Sequence, residues 1–165
     1  VNYLGIDPGA NGGIALIEAD ISLLHTWKMP ESEDDISDLI QEISVCMGFR
    51  FCFVEKQGAR PAYLVDTEGM HPVQGATSQW TFAEHYGVLK GILATLKIPR
   101  EFISPHDWQK TLGIPPKRKK PVKETQTEWK NRLKTKAQEL FPGSKITLAV
   151  SDAILIAEAC RRLKA

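Results

Sequence analysis

The sequence predicts an α/β fold built on a mixed five-stranded sheet. Three observations predict it. Five short apolar runs have the length and composition of strands, the first three are joined by short connections, and the later ones alternate with segments of helical period. "NYLGIDPG" is a strand ending at Asp7, and "PGANGG" is a turn whose glycines accept positive φ. "GIALIEAD" and "LLHTWKMP" complete an antiparallel meander. "EDDISDLIQEISVCM" places Ile36, Leu39, Ile40 and Ile43 on one helical face. "RFCFVEK", reached through that helix, is expected to pair in parallel. A loop punctuated by Gly58, Pro61, Gly69, Pro72 and Gly75 follows. "SQWTFAEHYGVLKGILATLKI" is a long helix with Trp80, Phe82, Tyr86, Leu89 and Leu93 as its apolar stripe, and Gly87 and Gly91 read as a close-packing face toward the sheet. "REFISP" is the fifth strand. Ser104 opens the next helix, with Pro105 in its first turn and Asp107 completing an S-x-x-D cap. Thr125-x-x-Glu128 caps another helix. The last, "LAVSDAILIAEACRRLK", carries Asp152, Ile156, Ala159 and Leu163 along one stripe. The stretch from 113 to 125, with Pro115, Pro116 and Pro121, is expected to be the least ordered.

The 165 residues, 42% hydrophobic and 25% charged, are expected to form a single domain, 1–165, with room for a core. No apolar run approaches the ~18 residues that span a bilayer, which excludes the helical membrane classes. "VNYLGIDPG" enters a strand directly, with no signal-peptide pattern. Cys46, Cys52 and Cys160 make no CxxC pair and no zinc spacing, a set expected of reduced thiols inside a cell. The net charge of +1 conceals an asymmetry. Lys117 to Lys136 holds nine Lys or Arg against two Glu, a local +7 that leaves −6 for the rest, and Glu31 to Glu42 holds six acids. One basic block on a near-neutral chain points to a localised anionic partner.

Three carboxylates occupy special places. Asp7 and Glu55 each end an apolar strand, where functional groups of α/β sheets gather. Asp152 lies on an apolar helix, where a carboxylate costs free energy without a partner. Each has an ordinary reading: Asp7 as a turn residue, Glu55 paired with Lys56, Asp152 as a cap or ion pair. Their joint placement is more specific. If the two strands lie side by side and the helix closes over them, three anions converge, and hard oxygen donors select Mg²⁺ or Mn²⁺. Two such ions ~3.5–4 Å apart suit phosphodiester hydrolysis.

The motifs "GIDPGANGGIAL", "FVEKQGARP", "FAEHYGVLKGIL", "ISPHDWQKTLG" and "VSDAILIAEACRR" occur in the order found in RuvC-like Holliday junction resolvases, and the chain resembles the phage and prophage type over nearly its whole length. The resemblance implies a ribonuclease H-like fold. It implies a homodimer acting on four-way or branched DNA, in the cytoplasm of a bacterial or phage-infected cell. It implies paired metal-dependent nicks that leave 5′-phosphate and 3′-hydroxyl ends, with two Mg²⁺ per site for which Mn²⁺ substitutes. Asp7 matches the family's first-strand aspartate, Glu55 its second acid and Asp152 the aspartate of the last helix. The family's fourth residue, Asp or His three or four positions before that aspartate, is replaced by Ala149 or Leu148, which cannot bind metal or move a proton. Position 149 faces the same way as Asp152, whereas Ser151 points elsewhere. Three readings stay open: a natural three-carboxylate site, a chain inactivated by engineering, or a ligand supplied by a loop residue such as Asp66, Glu68 or His71.

On the substrate side, Lys117, Arg118, Lys119, Lys120 and Lys123 are expected to meet DNA phosphates, with Lys130, Arg132 and Lys134 extending that surface. Lys56 and Arg60, beside Glu55, and Lys110, with His106, are further candidates near the scissile strand. Tyr63, His71, Gln74 and Trp80 are candidates for base stacking. Two other classes compete. A junction-binding protein with weak or no catalysis fits the loss at 148 and 149. An actin-like kinase or ATPase also opens on an Asp and a glycine turn, but this chain is short for two lobes and shows no second phosphate loop, so no nucleotide cofactor is expected.

Overall fold

The computed structural model describes residues 1–20, 24–58, 63–66, 69–72, 76–118 and 124–165, with the backbone alone at 63–66, 69–72, 76 and 77. Strands β1 (Asn2–Asp7), β2 (Gly13–Glu18) and β3 (Leu24–Lys28) form the expected meander. Helix α1 (Glu33–Glu42) continues as a π-helical turn, Ile43–Met47, and leads to β4 (Phe51–Glu55), which pairs in parallel with β1. After α2 (Ala76–Thr95), β7 (Arg100–Ile103) pairs in parallel with β4, giving the order β3-β2-β1-β4-β7. The Gly- and Pro-rich stretch expected to be a plain loop contains a hairpin, β5 (Tyr63–Asp66) with β6 (Gly69–Pro72). The chain closes with α3 (Pro105–Thr111), α4 (Gln126–Leu140) and α5 (Leu148–Lys164).

Period-two alternation sorts the sheet's side chains into two cores. Leu4, Ile6, Cys52 and Val54 pack with Ile36 and Ile40 of α1 and Leu89 and Leu93 of α2. Tyr3, Ala15, Ile17 and Phe53 pack with α5 and, through it, with Trp108, Trp129 and Leu133 of α3 and α4. Every residue of α5 from Val150 to Cys160 is buried, so the helix is enclosed by the sheet on one side and by α3 and α4 on the other. The single stripe expected for it fails at Leu163, which is exposed. Each fully buried Ile or Leu in this helix stabilises the fold by roughly 1.5–3 kcal/mol. Gly5 makes the close packing possible: a Cβ there would lie 2.2 Å from the Ala157 nitrogen.

Helix α2 also departs from expectation. Leu89 and Leu93 are buried, but Trp80 is 72% exposed. Gly87 and Gly91 are exposed, with nothing among the described residues within 4 Å of where a Cβ would stand, so they do not pack on the sheet. No helix among the described residues is long and apolar enough to cross a membrane.

Candidate active site

The last registered pair of β1 and β4 is Ile6–Val54. Asp7 and Glu55, one residue further, therefore end adjacent strands at the same level, about 4.8 Å apart in the sheet. Alternation turns both toward α5, because Phe53 lies on that face while Ile6 and Val54 lie on the other. Asp152 comes from the second turn of α5 and is 6% exposed. The three carboxylates expected from sequence are thus brought into one electrostatic neighbourhood. Burial pushes the Asp7 carboxyl up to about 8, and the charges of Glu55 and Asp152 add to the rise. Glu55 is raised too, first by burial, with the Asp152 charge adding and its hydrogen bonds opposing.

Glu55 and Asp152 are held by groups that orient them. The indole Nε1 of Trp108 donates to Glu55 Oε2 at 2.9 Å, and the Gln57 amide donates to Oε1 at 3.0 Å. Trp108 is fully buried at the base of α3, whose start is fixed by Ser104 accepting from the Asp107 backbone N–H. Ser151 is buried and its hydroxyl lies 3.1 Å from the Leu148 carbonyl and 3.2 Å from Asp152 Oδ1. The serine expected to point away from the site is therefore an immediate neighbour of its aspartate. Asp152 Oδ2 accepts from the Lys130 ammonium at 2.6 Å. Burial alone would lower the Lys130 pKa, but the ion pair with Asp152 and the charges of Asp7 and Glu55 outweigh it and raise it.

The donor chemistry suits a hard divalent cation: three carboxylates whose burial and mutual repulsion a bound charge would relieve. As they stand, no group of three or more His, Cys, Asp or Glu among the described residues is gathered as an ion would need. The ammonium of Lys130 holds Asp152 instead. Ala149 and Leu148 add no donor on α5. Of the loop candidates, Asp66 ends β5 and His71 lies in β6, with their side chains outside the described residues, as is Glu68 altogether.

The basic candidates divide. Lys56 and Lys110 are exposed, one residue after Glu55 and two residues after Trp108. His106 is exposed, with its ring 3.3 Å from Asp107. Lys117 donates to Gln126 at 2.8 Å, and Arg118 is exposed. Arg60, Lys119, Lys120 and Lys123 lie outside the described residues, as does Gln74. Arg132, expected on the phosphate-facing surface, is committed elsewhere. Its guanidinium donates twice to buried Glu124, at 2.9 and 2.8 Å, and to the carbonyls of Pro115 and Pro116, and it lies 4.4 Å from the Trp129 ring centroid. Lys130 likewise points inward rather than along the surface. Both are helix α4 residues whose carboxylate partners lie outside that helix, 22 residues away for Lys130 and 8 for Arg132, which is why their spacing alone read as a basic face.

An aromatic pair from α2 lies against the turn that follows Asp7. Phe82 of α2 lies where a Cβ on Gly9 would be 3.1 Å from its ring, just past Asp7. Phe82 stacks on Tyr86 at 6.3 Å, and the Tyr86 hydroxyl accepts from the Gln57 backbone N–H at 3.5 Å.

No protein-family model and no curated protein sequence matches the chain. Solved structures do. The chain is similar to the Thermus thermophilus RuvC structure with a TM-score of 0.59 and 13% identity, over 96% of this chain and 92% of that one. It is similar to T. thermophilus RuvC in complex with Holliday junction substrate with a TM-score of 0.56 and 13% identity, over 96% and 91%. At that identity the likeness shows the fold: this chain has the ribonuclease H-like fold of RuvC, a mixed five-stranded sheet flanked by helices.

Proposed function

We propose that this protein is a metal-dependent, structure-selective DNA endonuclease that resolves four-way or branched DNA, acting as a homodimer in the cytoplasm. The observation that carries the reading is the convergence of Asp7, Glu55 and Asp152 at one end of a RuvC-like sheet. One of the similar structures is of RuvC bound to a Holliday junction. Asp7, Glu55 and Asp152 would hold Mg²⁺, or Mn²⁺ in its place, at two ions per site. The chemistry such ions would supply, when bound, is activation of water and stabilisation of the leaving oxygen of a phosphodiester. Trp108 and Gln57 fix the orientation of Glu55, and Ser151 that of Asp152. Lys56 and Lys110 supply phosphate contacts at the rim, and Lys117 and Arg118 extend them along the basic segment, where Arg60, Lys119, Lys120 and Lys123 are further candidates. A two-fold symmetric junction calls for two sites, which a C₂ dimer provides. The small-residue face of α2, with Gly87 and Gly91 exposed, is open to a second copy.

The test is nicking of a synthetic four-way junction, with linear duplex and RNA as controls. The parent is expected to cut the junction with Mg²⁺ or Mn²⁺ and to stop on addition of EDTA. Cleavage that persists without divalent metal sinks the mechanism. A second reading, a junction-binding protein with little or no catalysis, is favoured by Ala149 and by the Lys130–Asp152 pair. It predicts tight junction binding without nicking until His or Asp is placed at 149 or 148.

A further inference from the structure

Lys130 is the observation that neither the fold nor the proposed reaction absorbs. Its ammonium is bonded to Asp152 Oδ2 at 2.6 Å, at the tip of a side chain that is 36% exposed, while the Asp152 side chain is 9% exposed. The same ammonium acts on Asp7 and Glu55. With all three carboxylates ionised the cluster carries three negative charges, and α5 offers no fourth ligand at 148 or 149. Helix α4 delivers the counter-charge from outside: Trp129, Leu133 and Ala137 bury its other face against the core, and its capping box fixes its start five residues before Lys130.

An ammonium and a divalent cation cannot both sit against one carboxylate oxygen without strong repulsion. Resting on the metal-dependent reading, we infer that Lys130 is a built-in counter-ion that competes with the divalent cation for Asp152 and releases it when a DNA phosphate accepts the ammonium. Without DNA the lysine neutralises part of the cluster, so the site keeps its carboxylates together while binding metal weakly. With DNA the partly exposed ammonium exchanges one anion for another. Asp152 then becomes available to metal beside the phosphate to be cut. Metal and DNA therefore bind with positive coupling, and by linkage each strengthens the other equally. Loading is thus tied to the presence of substrate. The absent donor at 148 and 149 makes the device effective, because α5 itself holds no second ligand for the ion while Lys130 keeps Asp152.

The experiment measures Mn²⁺ binding by calorimetry on the parent, Lys130→Gln, Lys130→Met and Asp7→Asn, each checked for folding by circular dichroism. Lys130→Gln retains a donor toward Asp152 without the charge, so it serves if Lys130→Met folds poorly. Removing the ammonium is expected to tighten Mn²⁺ binding about tenfold in the absence of DNA. A junction with non-hydrolysable linkages is expected to tighten binding to the parent about tenfold, and to tighten binding to Lys130→Gln by no more than about threefold. Unchanged or weaker Mn²⁺ binding in Lys130→Gln overturns the competition. An equal gain from DNA in parent and variant overturns the exchange. If Asp7→Asn binds Mn²⁺ as the parent does, or if neither Lys130→Gln nor the parent with DNA binds any, the metal-dependent reading fails first, and the inference with it.

Discussion

Two buried acids meet the first half of α4, Glu124 through Arg132 and Asp152 through Lys130, and their surroundings are built on opposite principles. Around Glu124 the cations are in surplus. The carboxylate accepts two bonds from Arg132 and one from the Arg118 backbone N–H, with the Arg118 guanidinium 3.9 Å away. The Arg132 hydrogen bond, foremost, with the other contacts outweighing desolvation, holds its pKa at about 2. Around Asp152 the anions are in surplus. Three carboxylates share one lysine, and Asp7 is pushed up to about 8. A satisfied acid ties a loop to a helix. An unsatisfied group of acids, held in place by the surrounding core, is a site awaiting charge.

Asp7→Asn tests that contrast most severely. It is expected to lower junction nicking by on the order of a thousandfold, read from single-turnover rates, while leaving the fold intact. An active Asp7→Asn protein would mean that the anionic surplus is not the reaction centre. Glu124→Gln should do the reverse. The melting temperature is expected to drop by about 5 °C or more, because Arg132 loses its charged partner, with the nicking rate per folded molecule changing far less.

The two acids should also respond to pH in opposite directions. The folded pKa of Asp7 is raised, so its contribution to stability is full below about pH 4 and is lost as pH rises through about 8. The folded pKa of Glu124 is depressed, so its contribution is present above about pH 4.5 and is lost as pH falls toward about 2. Thermal unfolding without divalent metal should therefore show stability declining between pH 5 and about 8, and Asp7→Asn should flatten that decline. A parent curve flat across this window would contradict the anionic surplus.

Smaller effects sharpen the picture at its edges. Trp108→Phe keeps the ring in the core but removes the donor to Glu55, and is expected to slow nicking roughly tenfold with little change in junction affinity. Lys56→Gln and Lys110→Gln should each weaken junction binding a few-fold and reduce the salt dependence by about one unit of slope. A salt dependence unaltered in both would remove them from the DNA path.

Much of this was legible in the chain. The five strands, their order of connection and the caps at Ser104 and Thr125 follow from short-range patterns, and the structure has all of them. The hairpin β5–β6 was not, because Gly and Pro spacing masks the alternation that marks a strand. Trp80 is exposed because, at 3.6 residues per turn, it lies on the side of α2 opposite the buried Leu89 rather than on one stripe with it.

The sequence by itself determined the mixed sheet, the two strand-end acids and the apolar helix that carries the third. Those features depend on periodicity, local capping and apolar content, which a chain states without reference to its distant parts. The tertiary structure alone decided how those acids are partnered. Lys130 is 22 residues from Asp152, and Trp108 is 53 residues from Glu55. Arg132, two positions beyond Lys130, turned to a different carboxylate altogether. A side chain's charge is written in the sequence. The partner that it neutralises is set by the packing of α4 and α5 against the sheet, because electrostatic pairing in a core is decided by distance in space.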